Sequence, residues 1–269
     1  MTSFFVFAKI MVVIYMKALI TGASNGLGKD FATKLADLGY DLVLVARSED
    51  KLDHIQNELK DKVDVKTEIM DLSIKDNAYK LYEKYRNKID LLINNAGYGL
   101  CDEFSRIDLD NELNMINLNI VSLHILTKLF LNDFIAKDSG QILNVASLAA
   151  FEPGPLMATY YSTKSYVYNL TMAIYEELRR KKSNVKISVL CPGPVDTGFN
   201  DRAKVNFSVK PLTSDYVTSY TLKKLKHNKL LIIPSLRMKL TVFGVRFMPR
   251  KLLLKMTYNI QEKKTKSKL

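Results

Sequence analysis

Two side chains set the first chemical constraint. Tyr160 and Lys164 stand four residues apart in Ala158-Thr159-Tyr160-Tyr161-Ser162-Thr163-Lys164, so a helix there puts them on one face. A free phenol titrates at about 10 and is a poor acid–base group at neutral pH, but a neighbouring ammonium stabilises its phenolate and lowers that value. Tyr161 is three residues from Lys164, which leaves the four-residue spacing to Tyr160. Taken alone, such a pair is common on helices and usually means packing beside a solvated charge. A hydroxyl, Ser147, closes the apolar run Gly140 to Ala146 thirteen residues upstream of Tyr160.

A second constraint lies near the start of the chain. Lys17-Ala18-Leu19-Ile20-Thr21 leads into Gly22-Ala23-Ser24-Asn25-Gly26-Leu27-Gly28 and then a helix-like segment, Lys29 to Leu38. A glycine turn between a first strand and a helix can set backbone N–H groups and the helix N-terminus against a pyrophosphate. The spacing Gly-x-x-x-Gly-x-Gly puts three residues between the first two glycines, where the common dinucleotide fingerprint has one. The second apolar run ends in Ala46-Arg47-Ser48. A carboxylate at that tip binds ribose hydroxyls, whereas a basic group accommodates a 2′-phosphate, so Arg47 predicts NADP(H) in preference to NAD(H).

The elements that must position these groups follow from periodicity. Short Val-, Ile- and Leu-rich runs alternate with longer segments of helical period, the pattern of βα units on a parallel sheet. Strands are expected at 17–21, 41–46, 63–69, 89–94, 140–146, 185–190 and 229–234. Helices are expected at 26–38, 49–60, 74–87, 108–137, 158–182 and 214–227. Seven strands make a full doubly wound sheet, whose ligands bind at the carboxyl ends of the strands. Ser147 and the tip Asn94-Asn95-Ala96-Gly97 both emerge at that edge.

Composition removes other classes. At 269 residues, 47% apolar and 25% charged, the chain is too apolar for disorder, and 11 Gly and 7 Pro without a repeat exclude collagen-like and solenoid forms. Two cysteines and three histidines supply neither a disulfide framework nor metal-ligand spacing, so no metal is expected. Cys101, Cys191, His54, His124 and His227 are read as packing or surface residues. The net charge of +12 is lopsided, since residues 201–269 carry +14 and the first 200 residues −2.

In order along the chain, Thr21 to Gly28, Asp71-Leu72, Asn94 to Gly97, Asn117, Ser147, Tyr160 with Lys164, and Pro192-Gly193-Pro194-Val195-Asp196-Thr197 resemble the short-chain dehydrogenase/reductase family over nearly all of residues 16–234. The resemblance implies one Rossmann-type α/β domain at 16–234, flanked by an N-terminal extension at 1–15 and a basic C-terminal helical extension at 235–269. It also implies an oxidoreductase of ketones and secondary alcohols. Tyr160 would protonate the carbonyl oxygen, Ser147 would hold that oxygen, and Lys164 would bind the nicotinamide ribose. Asn117 would anchor a proton-relay water. Gly22, Ser24, Asn25, Gly26, Leu27 and Gly28 would cradle the pyrophosphate, Asp71 and Leu72 would lie near the adenine, and Asn95, Ala96 and Gly97 would line the coenzyme floor. Pro192, Gly193, Val195 and Thr197 would flank the nicotinamide amide. Arg47 matches the NADP(H)-preferring members, although Asn25 lacks the basic residue that some of them carry in the glycine loop. The extended C-terminus resembles bacterial reductases akin to 3-oxoacyl-CoA reductases and hydroxysteroid dehydrogenases, which implies a hydrophobic, lipid-like carbonyl substrate and a homo-oligomer paired through helices 108–137 and 158–182.

The ends stay open at this level. MTSFFVFAKIMVVIYM is apolar but broken by Lys9, and fits an upstream start with the natural start at Met16, a membrane-associated segment, or an extra packing element. Phe199 to Pro211 is expected to be the variable substrate lid. On a helical wheel over 236–260, Lys239, Arg246 and Arg250 fall within about one quadrant, which suits a helix on an anionic membrane surface. The same pattern suits a helix that covers the body or a partner copy. Nucleic acid is not an expected partner, because the cations accompany no recognition module. The expected location is the cytoplasm, with peripheral membrane contact through the tail. A different function, a nucleotide sensor or scaffold that attaches through its basic tail, competes with the enzyme reading but has no chemical need for Tyr160 and Lys164 together.

Overall fold

The computed structural model of the protein describes residues 16–197 and 211–266. The start of the chain at 1–15 and all but the last residue of the expected lid at Phe199–Pro211 lie outside the described residues. Mostly apolar runs, buried on both faces, form the parallel strands β1 (Lys17–Thr21), β2 (Asp41–Ala46), β4 (Leu91–Asn94), β5 (Gln141–Val145) and β6 (Lys186–Leu190), and the edge strand β3 (Val65–Ile69) buries Val65 and Glu68 while exposing Lys66 and Ile69. Two short strands, β7 (Val195–Asp196) and β8 (Leu212–Thr213), pair with each other beside the sheet, and β9 (Leu231–Ile232) completes it. The seven-stranded order is β3-β2-β1-β4-β5-β6-β9, so the direction of strand addition reverses between β1 and β4. Ligand crevices open at such reversals, above the strands' carboxyl ends.

Helices cover both faces. On one face α1 (Gly26–Asp37), α2 (Glu49–Leu59) and α7 (Ser214–Lys226) bury Phe31, Leu35, Ile55, Leu59 and Leu222 against β1 and β2. On the other, α3 (Lys75–Tyr85), α5 (Leu123–Ala136) and α6 (Ala158–Arg180) bury Leu81, Phe130, Phe134 and Leu178. The predicted helix 108–137 is one helical run in which α4 (Leu109–Ile116) passes into α5 through a π-turn, Asn117–Ser122. Its length and apolarity would suffice to cross a bilayer, but its apolar residues serve the core here.

Two expectations are corrected. The β7–β8 ribbon was not foreseen, because two-residue strands carry no periodic signal. The basic tail is not one helix over 236–260 but two, α8 (Leu236–Val245) and α9 (Arg250–Lys266), broken at Pro249. Proline has no N–H to continue the ladder and its ring clashes with the preceding turn. Lys239, Arg246 and Arg250 therefore do not share one helical wheel.

Candidate active site

The first strand's turn is built for close approach. Gly22 and Gly26 have φ of +66° and +50°, a backbone region unfavourable to side chains. A Cβ on Gly28 would stand 2.1 Å from the Gly22 carbonyl oxygen, and one on Gly26 would stand 2.7 Å from Thr197 Cγ2. Only glycine fits at these positions, and the atypical spacing still brings the α1 N-terminus to the cleft. Asn25 caps that helix by accepting a hydrogen bond from the Gly26 N–H at 2.8 Å. The turn is tied to the β4 tip by Thr21, whose Oγ1 accepts from the N–H groups of Asn95 and Ala96, both at 3.0 Å. Asn95 Nδ2 donates back to the carbonyls of Thr21 and Gly22 at 3.0 and 3.1 Å.

At the β2 tip, Arg47 forms an ion pair with Asp71 at 3.5 Å, its side chain about half exposed to the cleft. Partial burial would raise the Asp71 pKa, but hydrogen bonds from the Ser73 hydroxyl and N–H, together with the Arg47 charge, hold it below the usual carboxylate value. The Leu72 carbonyl accepts from Ser122 in the π-turn. The residues present fit a dinucleotide: glycines where a side chain would block, the N-terminus of α1 at the cleft, and a half-exposed guanidinium on the cleft wall.

The proton-handling groups converge on the other side of the same cleft. Tyr160 and Lys164 are both buried, with Lys164 Nζ donating to the Val145 carbonyl at 3.0 Å and standing 5.9 Å from the Tyr160 ring centroid. Ser147 follows β5, faces Tyr160 and accepts from the Ala149 N–H at 3.1 Å. The expected depression of the Tyr160 pKa by Lys164 is corrected here. Burial pushes the phenol up to about 12, and the Ser147 hydrogen bond offsets only part of that. Burial also brings the Lys164 ammonium down to about 8. Both effects have one origin: a water-poor pocket disfavours the charged form of either group. The site therefore holds a neutral phenol ready to donate. Cys191, at the end of β6, is buried and pushed up to about 12 by burial, an inert thiol.

The asparagine expected at this site is displaced by two positions. Asn117 is half-buried, and neither it nor Asn119 lines the cleft surface; what separates them is burial and hydrogen bonding. Asn119 is fully buried. Its Oδ1 accepts from the Tyr98 N–H at 3.1 Å, and its Nδ2 donates to the Tyr98 carbonyl at 2.9 Å and to Thr163 Oγ1 at 3.1 Å. A Cβ on Gly97 would meet Asn119 Oδ1 at 3.0 Å and Lys164 Nζ at 3.3 Å, so this amide and the ammonium share one wall. Both asparagines lie in the π-turn Asn117–Ser122, and it is Asn119 whose side chain meets the Tyr98 backbone.

A continuous cleft of about 570 Å³ joins these parts, running from Gly22, Arg47 and Asp71 past Asn95 to Gly97, Ser147 and Tyr160 to the loop Pro192–Thr197. Its far end is lined by Thr241 of α8 and by Thr257, Ile260 and Gln261 of α9, which sequence reasoning did not assign to the site. No sequence signal ties a terminal helix to a distant cleft.

The model of the family described as short chain dehydrogenase matches residues 16–206. Among curated proteins, the human very-long-chain 3-oxoacyl-CoA reductase is 36% identical over 175 residues, covering 61% of this chain and 55% of its own. The chain thus spans about half the length of that relative. An oxidoreductase of Staphylococcus epidermidis is 34% identical over 188 residues, covering 68% of this chain and 80% of its own. Among solved structures, a short-chain dehydrogenase of Sphingobium yanoikuyae in complex with NADPH superposes with a TM-score of 0.79 at 28% identity, covering 86% of this chain and 93% of its own. One of Burkholderia phymatum in complex with NAD gives 0.78 at 25% identity, over 85% and 92%.

Proposed function

The chain belongs to the short-chain dehydrogenase/reductase family of oxidoreductases, which use NAD(P), and from that premise we propose that it is an NADP(H)-dependent reductase of a hydrophobic ketone, or in the reverse direction a dehydrogenase of the matching secondary alcohol. The observation that carries this reading is the burial of Tyr160 and Lys164 beside Ser147, at the end of the cleft that starts from the glycine turn. A bound reduced nicotinamide supplies hydride to the carbonyl carbon. Ser147 holds the carbonyl oxygen and Tyr160 Oη gives it a proton, with burial keeping the phenol in its acid form. Lys164 supplies a nearby cation and a donor for ribose hydroxyls. Asn119 takes the relay role that the family pattern gives to an asparagine on this helix, and holds the Gly97–Tyr98 backbone as the wall of that site.

Arg47 supports NADP(H). Solved relatives carry NADPH in one case and NAD in another, so the choice rests on the guanidinium at the β2 tip, where the strand end Ala46-Arg47-Ser48 itself supplies no carboxylate and Arg47 is paired with Asp71 from the next strand's end. A lipid-like substrate is supported by the name of the mammalian relatives and by the apolar surface around the tail. Leu236, Leu240, Phe243 and Phe247 of α8 and the turn after it are 72%, 64%, 62% and 74% exposed, amid Arg237, Lys239, Arg246, Arg250 and Lys251. Residues 236–261 hold no acid. This apolar, cationic surface suits peripheral contact with an anionic bilayer from the cytoplasm. A homo-oligomer built through the helical run 109–136 and α6 belongs to the same reading, as does the division into a domain at 16–234 and a tail at 235–269.

The test is oxidation of NADPH by the purified protein in the presence of medium- and long-chain ketones, repeated with Tyr160→Phe. Turnover that disappears in the variant while nucleotide binding persists supports the reading. Full turnover in the variant would remove Tyr160 from its role.

A further inference from the structure

The tail does more than present an outer surface. Leu253, Thr257 and Gln261 follow one another at four-residue steps on α9 and are 5%, 4% and 1% exposed, so one face of this terminal helix is turned into the body. Gln261 Nε2 donates to the Tyr161 hydroxyl at 2.5 Å, and Tyr161 packs edge-on against Tyr160 with ring centroids 6.1 Å apart. From the other side, Met238 of α8 fills the space above Gly193, where a Cβ would stand 2.3 Å from Met238 Cε and 3.2 Å from Leu148. Both tail helices thus reach the end of the cleft where the proposed carbonyl site lies, although neither belongs to the residues matched by the family model.

We propose that α8 and α9 form the wall of an elongated substrate chamber that takes a ketone with an uncharged hydrocarbon chain, the carbonyl at Ser147 and Tyr160 and the chain running along α9 past Ile260 to the outer surface. This deepens the reductase reading and rests on it for the position of the carbonyl. The chemistry of the lining selects the ligand. Leu148, Met157, Tyr161 and Ile260 offer carbon surface, and Thr241, Thr257 and Gln261 are polar without charge. Lys164 stands at the carbonyl end, and Glu152 is the acidic side chain lining the cleft near Tyr161, where it disfavours an anionic group on the chain. Ile260 lines the cleft yet is 49% exposed, and Met256, one turn back on the same face of α9, is 42% exposed, so this side of the chamber meets the apolar outer face of the helix.

The protein contains no tryptophan, so Ile260→Trp places a single indole on the chamber wall. Thr241→Trp places one on the α8 side of the same end, and Phe243→Trp serves as a reporter outside the cleft. Each variant is titrated with 2-dodecanone and with 2-butanone, with NADPH binding followed separately. The expected result is a saturable emission change in Ile260→Trp or Thr241→Trp with 2-dodecanone, at least about tenfold tighter than any change with 2-butanone and not reproduced in Phe243→Trp. Equal response to both ketones, or none in either wall reporter, overturns the chamber. If 2-dodecanone binds in this way but NADPH does not, the chamber stands and the reductase reading fails.

Discussion

Asn119 grips the backbone of Tyr98 from both sides, accepting from its N–H at 3.1 Å and donating to its carbonyl at 2.9 Å. This amide couples the π-turn of the long helix to the segment after β4, next to Gly97 and Lys164. Removing it leaves two buried backbone groups without that partner, at about 1–3 kcal/mol for each group left unsatisfied. Asn119→Ala is expected to lower the melting temperature by several degrees and to cut turnover strongly, whereas Asn117→Ala changes both little. Thermal unfolding and ketone-dependent NADPH oxidation on the two variants decide between the positions. Equal losses would return Asn117 to the site.

The coenzyme preference rests on Arg47. A hydrogen bond to a charged group contributes about 1.5–3 kcal/mol, and half-exposure places Arg47 at the lower end. Arg47→Ala is expected to weaken NADPH binding about tenfold and to leave NADH nearly unchanged. Nicotinamide fluorescence titration measures both. A parallel loss for the two nucleotides would show that the guanidinium does not read the 2′-phosphate.

Catalytic pH dependence follows from the two buried groups. Tyr160, held up to about 12, keeps its proton across the neutral range, so reduction should be flat there. Lys164, brought down to about 8, loses its charge above that value, and kcat/KM for reduction should fall on the alkaline side. A profile that stays level well above pH 8 would contradict the assignment of Lys164 as the required cation.

The same burial has a stability consequence. Lowering the Lys164 pKa from 10.5 to about 8 means that the folded protein holds the charge less readily than the unfolded chain, a penalty of roughly 3 kcal/mol. The sign is fixed: the penalty is complete below about 8, where both states are protonated, and shrinks as pH rises toward 10.5 because the folded state sheds its proton first. Lys164→Met should therefore be inactive yet more stable than the parent at neutral pH, with the gap closing at alkaline pH. Denaturant unfolding at several pH values tests it. A less stable variant at neutral pH would mean that the Lys164 hydrogen bond to Val145 outweighs the burial penalty.

Membrane contact is tested by the exposed aromatic pair on the tail. Phe243 and Phe247 pack edge-to-face, ring centroids 5.1 Å apart, and both are largely in water. Replacing both with Asp removes apolar area and adds repulsion from anionic headgroups, so co-sedimentation with phosphatidylglycerol-containing vesicles should fall roughly tenfold while NADPH affinity holds. Equal partitioning of parent and variant would end the membrane reading.

What the sequence determined by itself was whatever depends on short-range pattern. Continuous apolar runs such as Asp41–Ala46 could only be buried strands, and that strand appears with the expected bounds. The glycine turn, the Tyr160–Lys164 spacing and Ser147 at a strand end were legible because strand and helix periods fix where neighbours in sequence must point. Three-dimensional packing decided the rest. Asn119 rather than Asn117 holds the Tyr98 backbone, and which of two asparagines in one turn faces the site is set by packing rather than by the local pattern. Pro249 split the tail into two helices, a local rule that a wheel drawn across it hides. The Tyr160 pKa is raised because desolvation, a property of the whole pocket, outweighs the hydrogen bond with Ser147. Gln261 reached Tyr161, 100 residues away along the chain, because folding the last helix back over the cleft buries its Leu253 face. Contacts at that separation depend on how whole elements stack, and no local sequence signal encodes them.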